Sequence, residues 1–228
     1  GKVHVVVLDN LDFNHPDVGS YYEKLNDEEI EWLKKDLEHV SKDTPIILSM
    51  HVELFNGPGL GTTLTYKLDV SNAAALEDIL DDYEKVHIFT AHSHKISNRD
   101  ETMTKNSIYE HNAGAVCAGW WTAGMYNHKA NVATDGAPAG YTVVKVKGKD
   151  ISWQYKGTKY PITQQFRSYD RNTMDFSTEL HIPAAGPEAK ADWEVRAQTW
   201  IGKSTANDVY INVWNYDSKW KVEVTENG

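Results

Sequence analysis

An α/β layer followed by a small, mostly β, sandwich-like domain is the fold class that this 228-residue chain predicts. Two observations carry it. Short β-branched runs alternate with amphipathic segments up to about residue 90, and apolar and polar residues alternate with period two in several stretches after about residue 140.

The first run, residues 3–8 (Val-His-Val-Val-Val-Leu), is nearly continuous and predicts a strand buried on both faces of a parallel sheet. A helix follows, with Asn26 or Asp27 as N-cap, Glu29 placed for a capping box, and Ile30, Leu33, Leu37 and Val40 as its buried stripe. The run 46–50 is the second strand and ends at His51. A Gly/Pro-rich loop at 56–61 leads to a second helix, capped by Ser71 or Asn72 and apolar along Leu76, Ile79, Leu80 and Tyr83. Residues 86–90 give the third strand. Later, 142–147 and 150–155 read as a hairpin around Gly148-Lys149. Beyond a boundary between Gly157 and Pro161, residues 193–197, 209–214 and 220–224 read as strands of a small sandwich. The domains are therefore placed at 1–159 and 160–228. The closing Asn227-Gly228 is a turn signal.

Composition is that of a folded protein, 40% hydrophobic and 25% charged. The net charge of −10 argues against sequence-independent binding to nucleic acid or anionic membrane. No stretch approaches the roughly 20 apolar residues of a membrane span. Cys117, the only cysteine, excludes an internal disulfide and reads as a buried structural thiol.

Three histidines carry the functional signal. His51 ends one apolar run, and His92 and His94 follow another, where open α/β sheets collect their ligands. Imidazole suits zinc, iron and manganese, and His-x-His in an extended segment sends both rings to one side.

Ser49-Met50-His51-Val52 and Thr90-Ala91-His92-Ser93-His94 resemble the last two metal motifs of the calcineurin-like metallophosphoesterases, with Ala91 in place of a glycine. Gly114-Ala115-Val116-Cys117-Ala118-Gly119-Trp120-Trp121 and Asp135-Gly136-Ala137-Pro138-Ala139-Gly140-Tyr141 resemble signatures of a bacterial subgroup with an added C-terminal β-domain. The likeness covers roughly residues 2–170. It implies a partial αββα-type sandwich and a dinuclear centre of iron, manganese or zinc. His51 and His92 would ligate one ion and His94 the other, with a shared hydroxide attacking the phosphorus of a small-molecule phosphoester. It also implies an extracytoplasmic location.

The departures matter as much. The family's Asp-x-His, Gly-Asp and Gly-Asn-His motifs are missing, and Phe13-Asn14-His15-Pro16-Asp17 imitates the last of them only in part. Three neutral imidazoles cannot bridge two divalent cations without carboxylates. The chain is therefore expected to be a fragment with little activity alone, and to self-associate through an exposed sheet edge. Among other candidates, Trp120 and Trp121 would form an apolar wall for the leaving group. His111 and Asn112 would orient a ligand ring, Asp9-Asn10 end the first strand and would either face the site or serve a turn, and His4 and His87 would be packed. Two rivals remain open. One is a non-catalytic β-domain binding glycan or protein through Trp193, Trp200, Trp214 and Trp220. The other is a mononuclear zinc site built from His51, His92 and His94.

Overall fold

The computed structural model describes residues 2–56, 65–100, 107–117, 119–121, 132–201 and 207–226, with the backbone only for Val70 and Trp200. The loop at 57–61, Ala118 and Asn227-Gly228 lie outside the described residues. The chain forms two compact units that interleave in sequence. One is Gly1–Ala115 with Val144–Trp153 and Tyr216–Gly228, and the other is Val116–Val143 with Gln154–Asn215.

The first unit contains β1 (His4–Val7), α1 (Asp27–Leu37), β2 (Ile46–Ser49), β3 (Phe55–Asn56), β4 (Thr65–Tyr66), α2 (Val70–Leu80), β5 (Val86–Thr90), β6 (Ser97–Arg99) and β7 (Ile108–Asn112). Strands β1, β2, β5 and β7 run parallel in that order, and β6 closes the sheet antiparallel to β7. This is the expected α/β layer. On one sheet face Val6, Leu48, Val86, Ile88 and Ile108 pack with Ile30, Leu33 and Leu37 of α1 and Leu76 and Leu80 of α2. Burying each such side chain contributes about 1.5–3 kcal/mol, which makes this layer the main source of stability in the unit.

The helix starts are built as the sequence suggests, with two differences. Asn26 caps α1 by accepting the Glu29 amide at 2.7 Å. Glu29 does not close a capping box, because its carboxylate accepts the Asp9 amide at 2.6 Å and ties α1 to the end of β1. The cap of α2 is Asp69, ahead of Ser71 and Asn72, and it accepts both their amides. Asn72 is occupied elsewhere, its side-chain oxygen taking the Leu25 amide.

Strand β1 is not buried on both faces. Val5 is 61% and Val7 72% exposed, because β1 is an edge strand covered on one face only. On that second face, beside β5 and β7, the cover is aromatic. His87 and His111 stack with Tyr109, and Trp153 lies within 5.5 Å of all three rings.

The expected hairpin forms as β8 (Gly140–Lys147) and β9 (Asp150–Gly157), turning at Gly148 with φ 68°. The described residues of 160–228 do not form the expected sandwich. Strand β10 (Phe166–Asp170) pairs antiparallel with β11 (Val209–Val213), and between them lie α3 (Thr178–His181) and α4 (Pro187–Ile201). The alternation at 193–197 thus sits inside a helix. A five-residue alternation is too short to outweigh its surroundings: Pro187 opens the helix and Ala189, Ala191, Glu194 and Ala197 favour it. Trp193 also donates to the Phe176 carbonyl at 3.0 Å. Residues 220–224 have no regular structure. Cys117 is exposed rather than buried, since it falls in a turn and not in a strand. Among the described residues no helix is long and apolar enough to cross a membrane.

Candidate metal centre

Strands β2 and β5 pair in parallel with Ser49 opposite Phe89, so the loops leaving their carboxyl ends emerge side by side. The Ala91 amide donates to the His51 carbonyl at 2.9 Å and joins the two loops. The result brings His51 Nε2 and His92 Nδ1 to 3.2 Å. The other nitrogen of His92, Nε2, lies 3.0 Å from Glu23 Oε1, and Lys67 Nζ holds that same oxygen at 2.6 Å.

A carboxylate accepts, so Glu23 takes a hydrogen bond from His92 Nε2 and leaves Nδ1 as the nitrogen that faces His51. A carboxylate behind an imidazole is also the usual way to orient a ligating histidine. Metal–nitrogen bonds of about 2.0–2.1 Å put two nitrogens of one coordination sphere roughly 2.9–3.4 Å apart, which brackets the observed separation. Burial first, and the neighbouring His92 second, hold the His51 imidazole below its ordinary proton affinity. His94 adds to that effect, while Glu53 and Asp9 oppose it.

Both His92 (φ 53°) and His94 (φ 59°) adopt the left-handed region. The expectation that an extended His-x-His sends both rings to one side therefore does not describe this loop. Such a conformation in a non-glycine residue costs on the order of 1–3 kcal/mol and concentrates at functional sites. Among the described residues, no group of three or more histidine, cysteine, aspartate or glutamate side chains is arranged to hold an ion. The two imidazoles thus fit one edge of a coordination sphere, with Glu23 behind His92 and outside it, while the carboxylates that two ions would share are not assembled by those residues.

Three buried polar groups position the loops. Asn10, fully buried after β1, accepts the His51 and Val52 amides at 3.1 and 3.0 Å and donates to the Val52 carbonyl at 2.9 Å. Asn112 donates to Glu53 Oε1 at 2.5 Å and to Ser93 Oγ at 2.7 Å, so it spans both histidine loops. Glu110 accepts the Leu54 amide at 2.6 Å, the Phe55 amide at 3.3 Å and Arg99 Nη1 at 3.0 Å. Burial pushes its carboxyl up to about 7, against the pull of Arg99 and the two amides.

The remaining expected site residues divide. His111 sends its hydrogen bonds to His87 (2.9 Å) and Asn98 (2.8 Å), not to His51 or His92. Burial, and then His87, push its proton affinity well below the ordinary value. Trp120 is 80% exposed and Trp121 buried, both in the second unit. His15 and its neighbours form a polar loop, as expected, with Asn14 and Asp17 bonded inside the loop. Glu23, Glu53 and Glu110 carry no local sequence signal, because each acts across a long separation; Asn10 is marked in the sequence by its place at the end of the first strand. In the second unit Trp214 is fully buried and edged by Tyr160 at 5.0 Å, so a glycan platform using it is ruled out.

Compared with curated proteins, the chain finds no match. Compared with protein families, residues 110–228 match the C-terminal portion of calcineurin-like phosphoesterases, starting inside β7 and running to the last residue. The match extends through the region where the sequence likeness was loosest, and it starts after His51, His92 and His94. Since it spans more than half of the chain, the protein belongs to the calcineurin-like phosphoesterase family, through the C-terminal region of that family.

Proposed function

We propose that this chain carries part of the metal centre of a phosphoester hydrolase, with His51 and His92 ligating one ion and His94 a second. One observation supports the reading above the rest: His51 Nε2 and His92 Nδ1 stand 3.2 Å apart at the carboxyl ends of adjacent parallel strands, with Glu23 behind His92. Iron, manganese or zinc would suit the imidazole donors. When bound, such ions polarise phosphoryl oxygens and acidify an attacking water. Glu23 keeps the lone pair of His92 on Nδ1, Asn10 holds the His51 backbone, and Asn112 keeps the two loops in step. The substrate is a small phosphoester.

The same reading takes residues 1–159 as the catalytic portion and 160–228 as an appended one. It takes the chain alone as weakly active, because the shared carboxylates are not gathered among the described residues. It also assigns the exposed Val5 and Val7 of β1 to contact with another chain.

Equilibrium dialysis with Mn²⁺ and with Zn²⁺ tests the ligands. The wild-type chain should bind, and His51→Asn and His92→Asn should each weaken binding at least about tenfold, as expected for losing a ligand. Equal affinity in all three proteins overturns the assignment. One zinc per chain, with no second ion, favours the mononuclear site. Strong hydrolysis of 4-nitrophenyl phosphate by the purified chain overturns the partial-centre reading.

A further inference from the structure

The opposite end of the same sheet holds a cavity that the histidine site does not use. Its volume is about 340 Å³, within the range of small-molecule sites. Glu84 and Lys85 precede β5 and Ser107 precedes β7, so the cavity opens where these strands begin, about 13 Å along β5 from its histidine end. All its lining residues lie in the first unit.

The walls are rings: His87, Tyr109, Trp153 and Trp220. Three of them already hold one another, with Tyr109 and Trp153 at 4.9 Å, and His87 at 5.5 Å from each. Such a wall offers π-faces to a flat ring at little ordering cost. The charges decide what that ring carries. Asp217 is buried, and its carboxylate is taken by the Tyr109 hydroxyl and the Lys219 amide. Lys219 places its ammonium 5.3 Å from the centre of the Tyr109 ring, so the aromatic box already has its cation. Lys85 also lines the cavity, with Glu84 beside it, and both are exposed.

We propose that this cavity binds a small planar aromatic anion, its ring against Tyr109, Trp153 and Trp220 and its acidic group toward Lys219 and Lys85. The site is separate from the metal centre and does not depend on it.

Calorimetric titration of the full chain with 2-naphthoate tests this. A dissociation constant on the order of 0.1–1 mM is expected, as for a fragment-sized ligand. Lys219→Gln and Trp220→Ala should each weaken it about fivefold or more, whereas His51→Asn should leave it unchanged. Lys219 and Trp220 sit in a segment without regular structure, and matched circular dichroism confirms that the variants fold. No binding of naphthoate overturns the proposal. So does binding that both variants leave intact, or tighter binding of tetramethylammonium or methyl glucoside than of naphthoate.

Discussion

Two pairs of histidines belong to the same sheet and its loops and have opposite fates. His51 and His92 stand past the carboxyl ends of β2 and β5, 3.2 Å apart, with Glu23 on one ring. His87 and His111 stand inside β5 and β7, 2.9 Å apart, stacked among Tyr109 and Trp153. Both pairs touch through ring nitrogens. They differ in what surrounds them: a carboxylate and left-handed loop backbone in one case, aromatic faces and an amide in the other. Position relative to the strand end, not residue type, separates the pair proposed as ligands from the packing pair.

The comparison can be broken most severely at Glu110. Removing its carboxylate takes away a buried ion-pair partner of Arg99 and frees the Leu54 and Phe55 amides next to the His51 loop. Glu110→Ala should therefore cost about 3–5 kcal/mol in urea unfolding. A cost below about 1 kcal/mol would mean that the loop is held by something else. Asn10→Ala is the next largest. It deletes three hydrogen bonds at a buried position, and about 2–3 kcal/mol should be lost, with amide exchange at His51 and Val52 speeded. Unchanged exchange there would remove Asn10 from the positioning role.

A smaller effect separates the interior pair by pH. His111 is held well below its ordinary value, so below about pH 6.5 the unfolded chain takes a proton that the native state refuses. Its contribution to stability is present above that pH and is lost as pH falls. Glu110, raised from 4.5 to about 7, has the opposite sign: its contribution is complete below about pH 4.5 and is lost as pH rises through 7. In His111→Phe the acid-side loss should shrink to the part that His51 contributes, so that stability falls less on the acid side of pH 6.5 than in the wild type. The change in slope should amount to about 1 kcal/mol per pH unit at most. Urea midpoints that keep the wild-type slope would place the titrating group elsewhere.

The same contrast explains what was legible in the sequence. The α/β order was readable because β1, α1, β2, α2 and β5 each carry an apolar pattern longer than their own ambiguity. The strand-end histidines were readable because strand ends are where chemistry collects. The strand expected at 193–197 failed for want of length, since five alternating residues say less than the helix-favouring run around them. Glu23 and Glu110 were not readable at all. Glu23 meets His92 and Glu110 meets Leu54 across long separations, and nothing local marks them.

The central claim concerns two nitrogens, His51 Nε2 and His92 Nδ1, and long-range ¹H–¹⁵N correlation spectra of the histidine rings observe them directly. On titration with zinc, both resonances should move together to values of ligating nitrogens, while those of His87 and His111 stay in place. Movement of the interior pair, or a His51 and His92 that ignore the metal, would contradict the account.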